Sequence, residues 1–193
     1  MVILRAFRGI RVQVAAVLLT ALVLTPAPLH AQQGEKKPES LAARIQRLED
    51  IDEIRTLLTN YGRFLDAHDL RAYAHLFASD GEWVGGFGSA KGPDGILALM
   101  EKNLPARPAG SPGNTYHLLT NFLVDVHGDT ASAWSRWTFV TMSADNKPSM
   151  LYGGHYDDTL VREAGQWKFK RRVAFNDIPP SNPPTGNAGQ SQR

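Results

Sequence analysis

The chain has 193 residues, a formal charge of +2, and no cysteine, which excludes disulfides, a thiol nucleophile and a thiolate metal site. Arg5, Arg8 and Arg11 precede an apolar run, Val12 to Leu24, and then Thr25, Pro26, Pro28 and the small residue Ala31. That order of basic end, short apolar core and small residue reads as a secretory signal over residues 1–31, with an uncleaved anchor as the alternative. Without those three arginines, 18 basic residues face 19 acidic ones, so the remaining chain is close to neutral. A near-neutral domain has no broad electrostatic footprint for nucleic acid, and after cleavage it has no membrane span. The expected location is a bacterial periplasm or the exterior.

Residues 32–39 are polar, contain Pro38 and read as a flexible leader. The stretch 179–193 is Pro, Gly, Asn, Ser and Gln with little to bury, and reads as a disordered tail. One domain lies between them, at 40–178. It opens with a helix: Ser40 is an N-cap candidate, and Leu41, Ile45, Leu48, Ile51, Leu58, Tyr61 and Leu65 form a stripe. The pattern ends at Asp66. A second helix carries Leu70, Tyr73, Leu76 and Phe77, and a short strand follows from Glu82 to Phe87. Pro93 opens a third helix running to Leu104, since proline is tolerated in a first turn.

Everything after that alternates with period two: Tyr116 to Val126, Ala131 to Met142, Met150 to Arg162 and Trp167 to Asn176, separated by hairpin turns. Helices first and hairpins afterwards specify an α+β domain, about three N-terminal helices capping a curved antiparallel sheet. Such a cone has an open mouth, a natural place for an apolar pocket with a few polar groups.

The polar candidates start with His117, which shares a strand face with Leu119, Asn121 and Leu123. Buried among leucines it must find a partner. Two readings fit: a core histidine bonded to backbone, or a base held by Asp66 from the end of the first helix. His155 belongs to the mouth or surface of the third strand. His68 and His75 read as solvated, and His127 as a turn residue. No His-x-x-x-His spacing supports a metal, no Gly-x-Ser-x-Gly elbow supports a serine nucleophile, and no cofactor is implied. Lys168, Lys170, Arg171 and Arg172 form a basic cluster whose simplest reading is a solvated strand face.

Several segments together resemble one family. These are Leu48-Glu49-Asp50-Ile51-Asp52-Glu53-Ile54-Arg55, then Tyr61 with Phe64-Leu65-Asp66, then Leu76-Phe77-Ala78-Ser79-Asp80-Gly81. They continue with His117-Leu118-Leu119-Thr120-Asn121, Gly128-Asp129-Thr130-Ala131, and the strand Gly154 to Arg162 leading to Trp167 and Arg172. The set is similar to the SnoaL-like, dehydratase-type branch of the nuclear transport factor 2-like superfamily over about residues 45–176. The resemblance implies the helix-capped cone and a histidine oriented by an aspartate, matched here by His117 and Asp66. It adds Tyr61 and Arg172 to the catalytic set, with Arg171 as the alternative to Arg172. Thr141 and Val140 stand where family members carry a second histidine or an aspartate.

The implied function is that of a secreted hydro-lyase-like protein. It would carry out cofactor-independent β-elimination, dehydration or dehydrohalogenation, on a small hydrophobic or ring-bearing molecule. Imidazoles titrate near neutrality and serve as bases, and a carboxylate can fix the tautomer. Asn121, His155, Trp83, Phe87 and Trp137 are the substrate-binding candidates, and Trp134 is a further aromatic for the cone. The alternative is a non-catalytic binding or dimerising module. A homo-oligomer is the expected assembly under either reading. The deciding geometry is a His117–Asp66 contact of about 2.6–3.2 Å, the span a general base requires.

Overall fold

A computed structural model describes residues 39–107, 113 and 115–179. The signal segment, nearly all of the leader and nearly all of the tail lie outside the described residues. Three helices come first: α1 (Leu41–Asp66), α2 (Leu70–Ala74) and, after strands β1 (Phe77–Gly85) and β2 (Gly88–Lys91), α3 (Gly92–Asn103). Four long strands complete the domain: β3 (Thr115–His127), β4 (Thr130–Met142), β5 (Pro148–Glu163) and β6 (Gln166–Ile178).

The Ser40 hydroxyl caps α1 by accepting from the Ala43 amide at 3.2 Å. Only the second half of the apolar stripe is used. Ile54, Leu57, Leu58 and Tyr61 are buried, whereas Leu41, Ile45 and Leu48 stand out from the domain at 69%, 47% and 65% exposure. α1 ends in a Schellman turn, with the Asp69 amide donating to the Phe64 carbonyl and the His68 amide to the Leu65 carbonyl. That turn puts His68 in the left-handed region (φ 58°), a position usually held by glycine.

The sheet has six strands in the order β2-β1-β6-β5-β4-β3 and does not close. It is mixed, because β1 runs parallel to β6 while every other pair is antiparallel. The hairpin-rich half of the chain makes the antiparallel meander. The parallel contact arises because α3 carries the chain from the β2 edge to β3 at the far edge, leaving β1 free beside β6. The inward face carries Ala131, Ala133, Trp137, Tyr156, Leu160 and Phe169, packed with the inner faces of the helices into one core.

Two glycines permit close approaches. A Cβ on Gly62 would stand 3.0 Å from Leu119 Cδ1 and 3.7 Å from His117 Cβ. Glycine there lets α1 press against β3, so that Asp66, one turn further on, arrives beside His117. A Cβ on Gly154 would stand 1.8 Å from the Phe175 carbonyl oxygen and 2.9 Å from Trp137 Cε2. Only glycine lets the indole of Trp137 lie across β5.

Candidate active site

The helices and the concave face of the sheet enclose a cavity of about 770 Å³. Its wall is largely aromatic and aliphatic, and the polar groups reaching it include Asp66, His117, Tyr61, Tyr73, His68, Arg107 and Asn176. An enclosed apolar space with a few converging polar groups is the usual form of a small-molecule site.

His117 and Asp66 are brought together. His117 Nδ1 lies 2.6 Å from Asp66 Oδ1, and the His117 amide donates to Asp66 Oδ2 at 2.9 Å. With a neutral ring, the contact requires Nδ1 to carry the proton, because a carboxylate only accepts. The other nitrogen, Nε2, makes no hydrogen bond among the described residues. Phe139 and Trp137 flank the ring, with centroids at 5.1 and 6.4 Å.

Tyr61 is the second polar centre. Trp83 Nε1 donates to its hydroxyl oxygen at 2.9 Å, and the Tyr73 hydroxyl donates to the same oxygen at 2.8 Å. With both acceptor positions filled, the Tyr61 proton is left for a partner in the cavity. Trp83 therefore holds Tyr61 in place as well as lining the wall. Tyr73, which the sequence placed only in a helical stripe, completes the arrangement. Desolvation pushes the Tyr73 hydroxyl well above the ordinary tyrosine range, and Tyr61 beside it adds to the rise. Tyr73 is a neutral donor at any physiological pH. Phe87, 45% exposed, stacks on Trp83, and Trp137 stacks on Tyr156.

Arg172 is inward but does not line the cavity. It is fully buried, and its guanidinium lies 4.0 Å from the Tyr61 ring centroid, 4.1 Å from Tyr156 and 4.2 Å from Phe169. Its Nε and Nη2 donate to the two oxygens of Asp158, both at 2.7 Å. Burial works against the charge, yet the Asp158 carboxylate holds Arg172 above the usual arginine range. Burial also pushes the Asp158 carboxyl up, opposed by that same guanidinium. Tyrosine rings thus separate this cation from any ligand, contrary to a direct catalytic contact. Arg171 is no substitute, because it pairs with Glu82 at 3.0 Å.

Asn121 does not join the site. β3 has an irregularity between Thr120 and Leu123, so that Asn121 and Phe122 together oppose Ser135. Asn121 takes up φ 57° at this bulge. The extra residue reverses the alternation: His117 and Leu119 face inward, then Phe122, Val124 and Val126, while Asn121 and Leu123 are exposed. His155 also leaves the site. It lies on the convex face, with Nδ1 2.9 Å from both Asp177 oxygens and its ring between Phe175 and Trp134. Trp134 is on that face too, so it does not line the cone.

Four further points concern charge. Lys168 donates to the His75 carbonyl, Lys170 pairs with Asp80, Arg171 with Glu82 and Arg172 with Asp158, so the basic cluster is dispersed over both faces and partnered throughout. Among the described residues, no three His, Asp or Glu side chains converge to hold a metal. His68, expected to be solvated, is half-buried and lines the cavity from its left-handed turn. Arg107 carried no sequence signal at all and lines the same wall.

The sequence matches the SnoaL-like domain family over residues 46–173. No curated protein matches it significantly. Among solved structures, it is similar to an NTF2-like protein with a cystatin-like fold from Novosphingobium aromaticivorans, at 28% identity and a TM-score of 0.62. That alignment covers 82% of this chain and 95% of the other. ActVI-ORFA from Streptomyces coelicolor aligns at 25% identity and a TM-score of 0.56, over 66% and 96% of the two chains. A scytalone dehydratase-like protein from Novosphingobium aromaticivorans shares the fold at 23% identity and a TM-score of 0.58, over 77% and 99%. With two thirds of its length matched and the helix-capped curved sheet in place, the chain belongs to the SnoaL-like domain family and has the NTF2-like fold.

Proposed function

We propose that the cavity carries out a cofactor-independent β-elimination, a dehydration or dehydrohalogenation, on a small ring-bearing molecule. The observation that carries this reading is the 2.6 Å contact between His117 Nδ1 and Asp66, which leaves Nε2 without a partner among the described residues on a ring that lines a largely apolar cavity. In the forward step, Nε2 removes a proton from a carbon next to an activating group. The C–H electrons form the new double bond and the leaving group departs with its own bonding pair. Asp66 fixes the tautomer and offsets the charge of the imidazolium. Tyr61 donates its free proton to a departing hydroxide, which leaves as water, or hydrogen-bonds a departing halide. After dehydration the proton held by the imidazolium returns to the Tyr61 oxygen through water, restoring both groups. After dehydrohalogenation Tyr61 still carries its proton, and the imidazolium releases its own to solvent along with the halide. Arg172 acts only from beneath the Tyr61 ring.

Trp83, Phe87 and Trp137 give the ring-bearing substrate flat apolar surfaces. The amino-terminal signal would place the reaction outside the cytoplasm. A second copy of the chain would cover the convex face, where Tyr116, Leu118 and Leu123 are 51%, 46% and 66% exposed beside Trp134, His155 and Phe175. The test is turnover of hydroxylated and halogenated ring compounds by the wild type, His117→Ala and Asp66→Asn. Loss of the base should cut the rate by about 10²–10⁴ while ligand affinity is kept. Undiminished turnover in His117→Ala would sink the mechanism. Binding without turnover in the wild type would identify a binding module instead.

A further inference from the structure

Arg107 differs from every other arginine that is not exposed. Among the described residues, Arg162, Arg171 and Arg172 each face a carboxylate: Asp50, Glu82 and Asp158 respectively. Arg107 faces none. Its Nη2 donates to the main-chain carbonyl of Asp66, and its buried Nε has no hydrogen-bond partner among the described residues. The nearby acids are otherwise engaged or too distant. The Asp66 carboxylate holds His117, the Asp69 carboxylate caps α2, and Glu101 lines an adjoining outer cleft without pairing to Arg107. A guanidinium N–H removed from water and left unbonded is costly. Arg107 is half-buried on the cavity wall, where its charge is screened less than on an open surface and attracts an anion brought there.

We infer that Arg107 is the anion-reading residue of this cavity, and that the ligand it selects is a ring-bearing carboxylic acid. Guanidinium and carboxylate match in shape and charge. One residue fixes the spacing: Asp66 holds Arg107 by its carbonyl and His117 by its carboxylate. An acid group on Arg107 therefore leaves its attached ring within reach of His117, against the aromatic wall of Trp137 and Phe139. The inference rests on the cavity being a small-molecule site, as proposed above, but not on turnover.

The test is calorimetric titration of the full chain with 2-naphthoate and with 2-naphthamide, which share a ring and differ in charge. The acid should bind about ten-fold or more tightly than the amide, as a charge-assisted hydrogen bond predicts. Arg107→Gln should erase that preference while leaving the amide's affinity in place. Arg107→Lys keeps the charge but loses the planar fork, and should shrink the preference, which guards against a Gln variant that fails to fold. Equal affinity for the two probes, binding of neither at about millimolar concentration, or an undiminished preference in either variant would overturn the inference. Acid preference without any elimination would refute the lyase reading and leave this one standing.

Discussion

Asp158→Asn should be among the most destabilising single substitutions in this domain. The Arg172 guanidinium is fully buried, has three aromatic rings around it, and already leaves Nη1 without a hydrogen bond. Among the described residues its carboxylate partner is Asp158, reached by two bonds of 2.7 Å. Asparagine keeps the size and one acceptor but removes the charge, so a cation stays in a dry core with nothing to neutralise it. Breaking one side of such a pair costs about 3–5 kcal/mol. A domain of this kind is stable by about 5–15 kcal/mol in all, so the loss takes a large share. In melting temperature it corresponds to a fall of about 10–20 °C for a domain of this size. Urea unfolding followed by tryptophan fluorescence gives the difference directly. Removing both charges, as Arg172→Met with Asp158→Leu, should recover most of the loss, because no charge is then left unpaired. A single-variant cost below about 1 kcal/mol would show that water reaches the pair and that the guanidinium is not sealed beneath Tyr61 and Tyr156.

Three further outcomes follow from local geometry. Gly154→Ala should cost about 3 kcal/mol or more, read by thermal melting, because the added methyl meets the Phe175 carbonyl, which cannot move without breaking the β5–β6 ladder. His68→Val should be less stable than His68→Gly by about 1–2 kcal/mol, since a β-branched residue is poorly tolerated at φ 58°. Equal stability of the two would mean that the Schellman turn is not formed in solution. Asp50 should make stability fall with acid. Burial pushes its carboxyl up, but bonds from Arg162, Gln46 and Trp167 outweigh this and leave it below the ordinary aspartate range. The folded state then holds fewer protons than the unfolded one just below the ordinary aspartate pKa. The stabilisation is present above that pH and is lost as the pH falls through the folded value. Urea midpoints between about pH 5 and 2.5 should drop more steeply for the wild type than for Asp50→Asn.

The parts of the fold that were legible in the sequence are those where local pattern and tertiary outcome agree. Four long alternating runs became β3 to β6 with ends shifted by a residue or two, and Asp66 closes α1 where the apolar period stops. The parallel β1–β6 contact was not legible, because it depends on where α3 carries the chain and not on the composition of either strand. Asn121 was misplaced by the assumption of unbroken alternation through β3. The signal was present in Phe122, Val124 and Val126, whose apolar parity conflicts with Leu119 unless one residue is extra, and asparagine is the residue that tolerates the turn. For Arg172 the inward face was readable. The aromatic rings covering it come from α1, β5 and β6, a convergence that no single stretch of sequence displays. Arg107 lies just past α3 in a segment without periodicity, so nothing local marks it.

Of the three histidine–aspartate pairs among the described residues, those of His117 and His155 stand on opposite faces of this one sheet, and comparing them shows why residue chemistry alone does not define the site. Both histidines use Nδ1 to meet a carboxylate, at 2.6 Å for His117 and 2.9 Å for His155. His155 meets both oxygens of Asp177, and Arg136 also reaches that carboxylate at 3.3 Å. Its ring is stacked at 4.6 Å on Phe175, on the convex side of the sheet, away from the cavity. His117 meets a carboxylate that has arrived from a different element, α1, and its ring edge lies on an enclosed apolar wall shared with Tyr61. A base needs more than an orienting acid: a substrate carbon must reach its free nitrogen, and a proton donor must stand across the same space. Of these two pairs, only the one on the concave face lines the cavity, with Tyr61 on the same wall. His155→Gln should therefore leave any elimination rate within about two-fold of the wild type, whereas His117→Gln should cut it by about 10²–10⁴. Equal losses in the two variants would mean that the reacting face of the sheet has been misassigned.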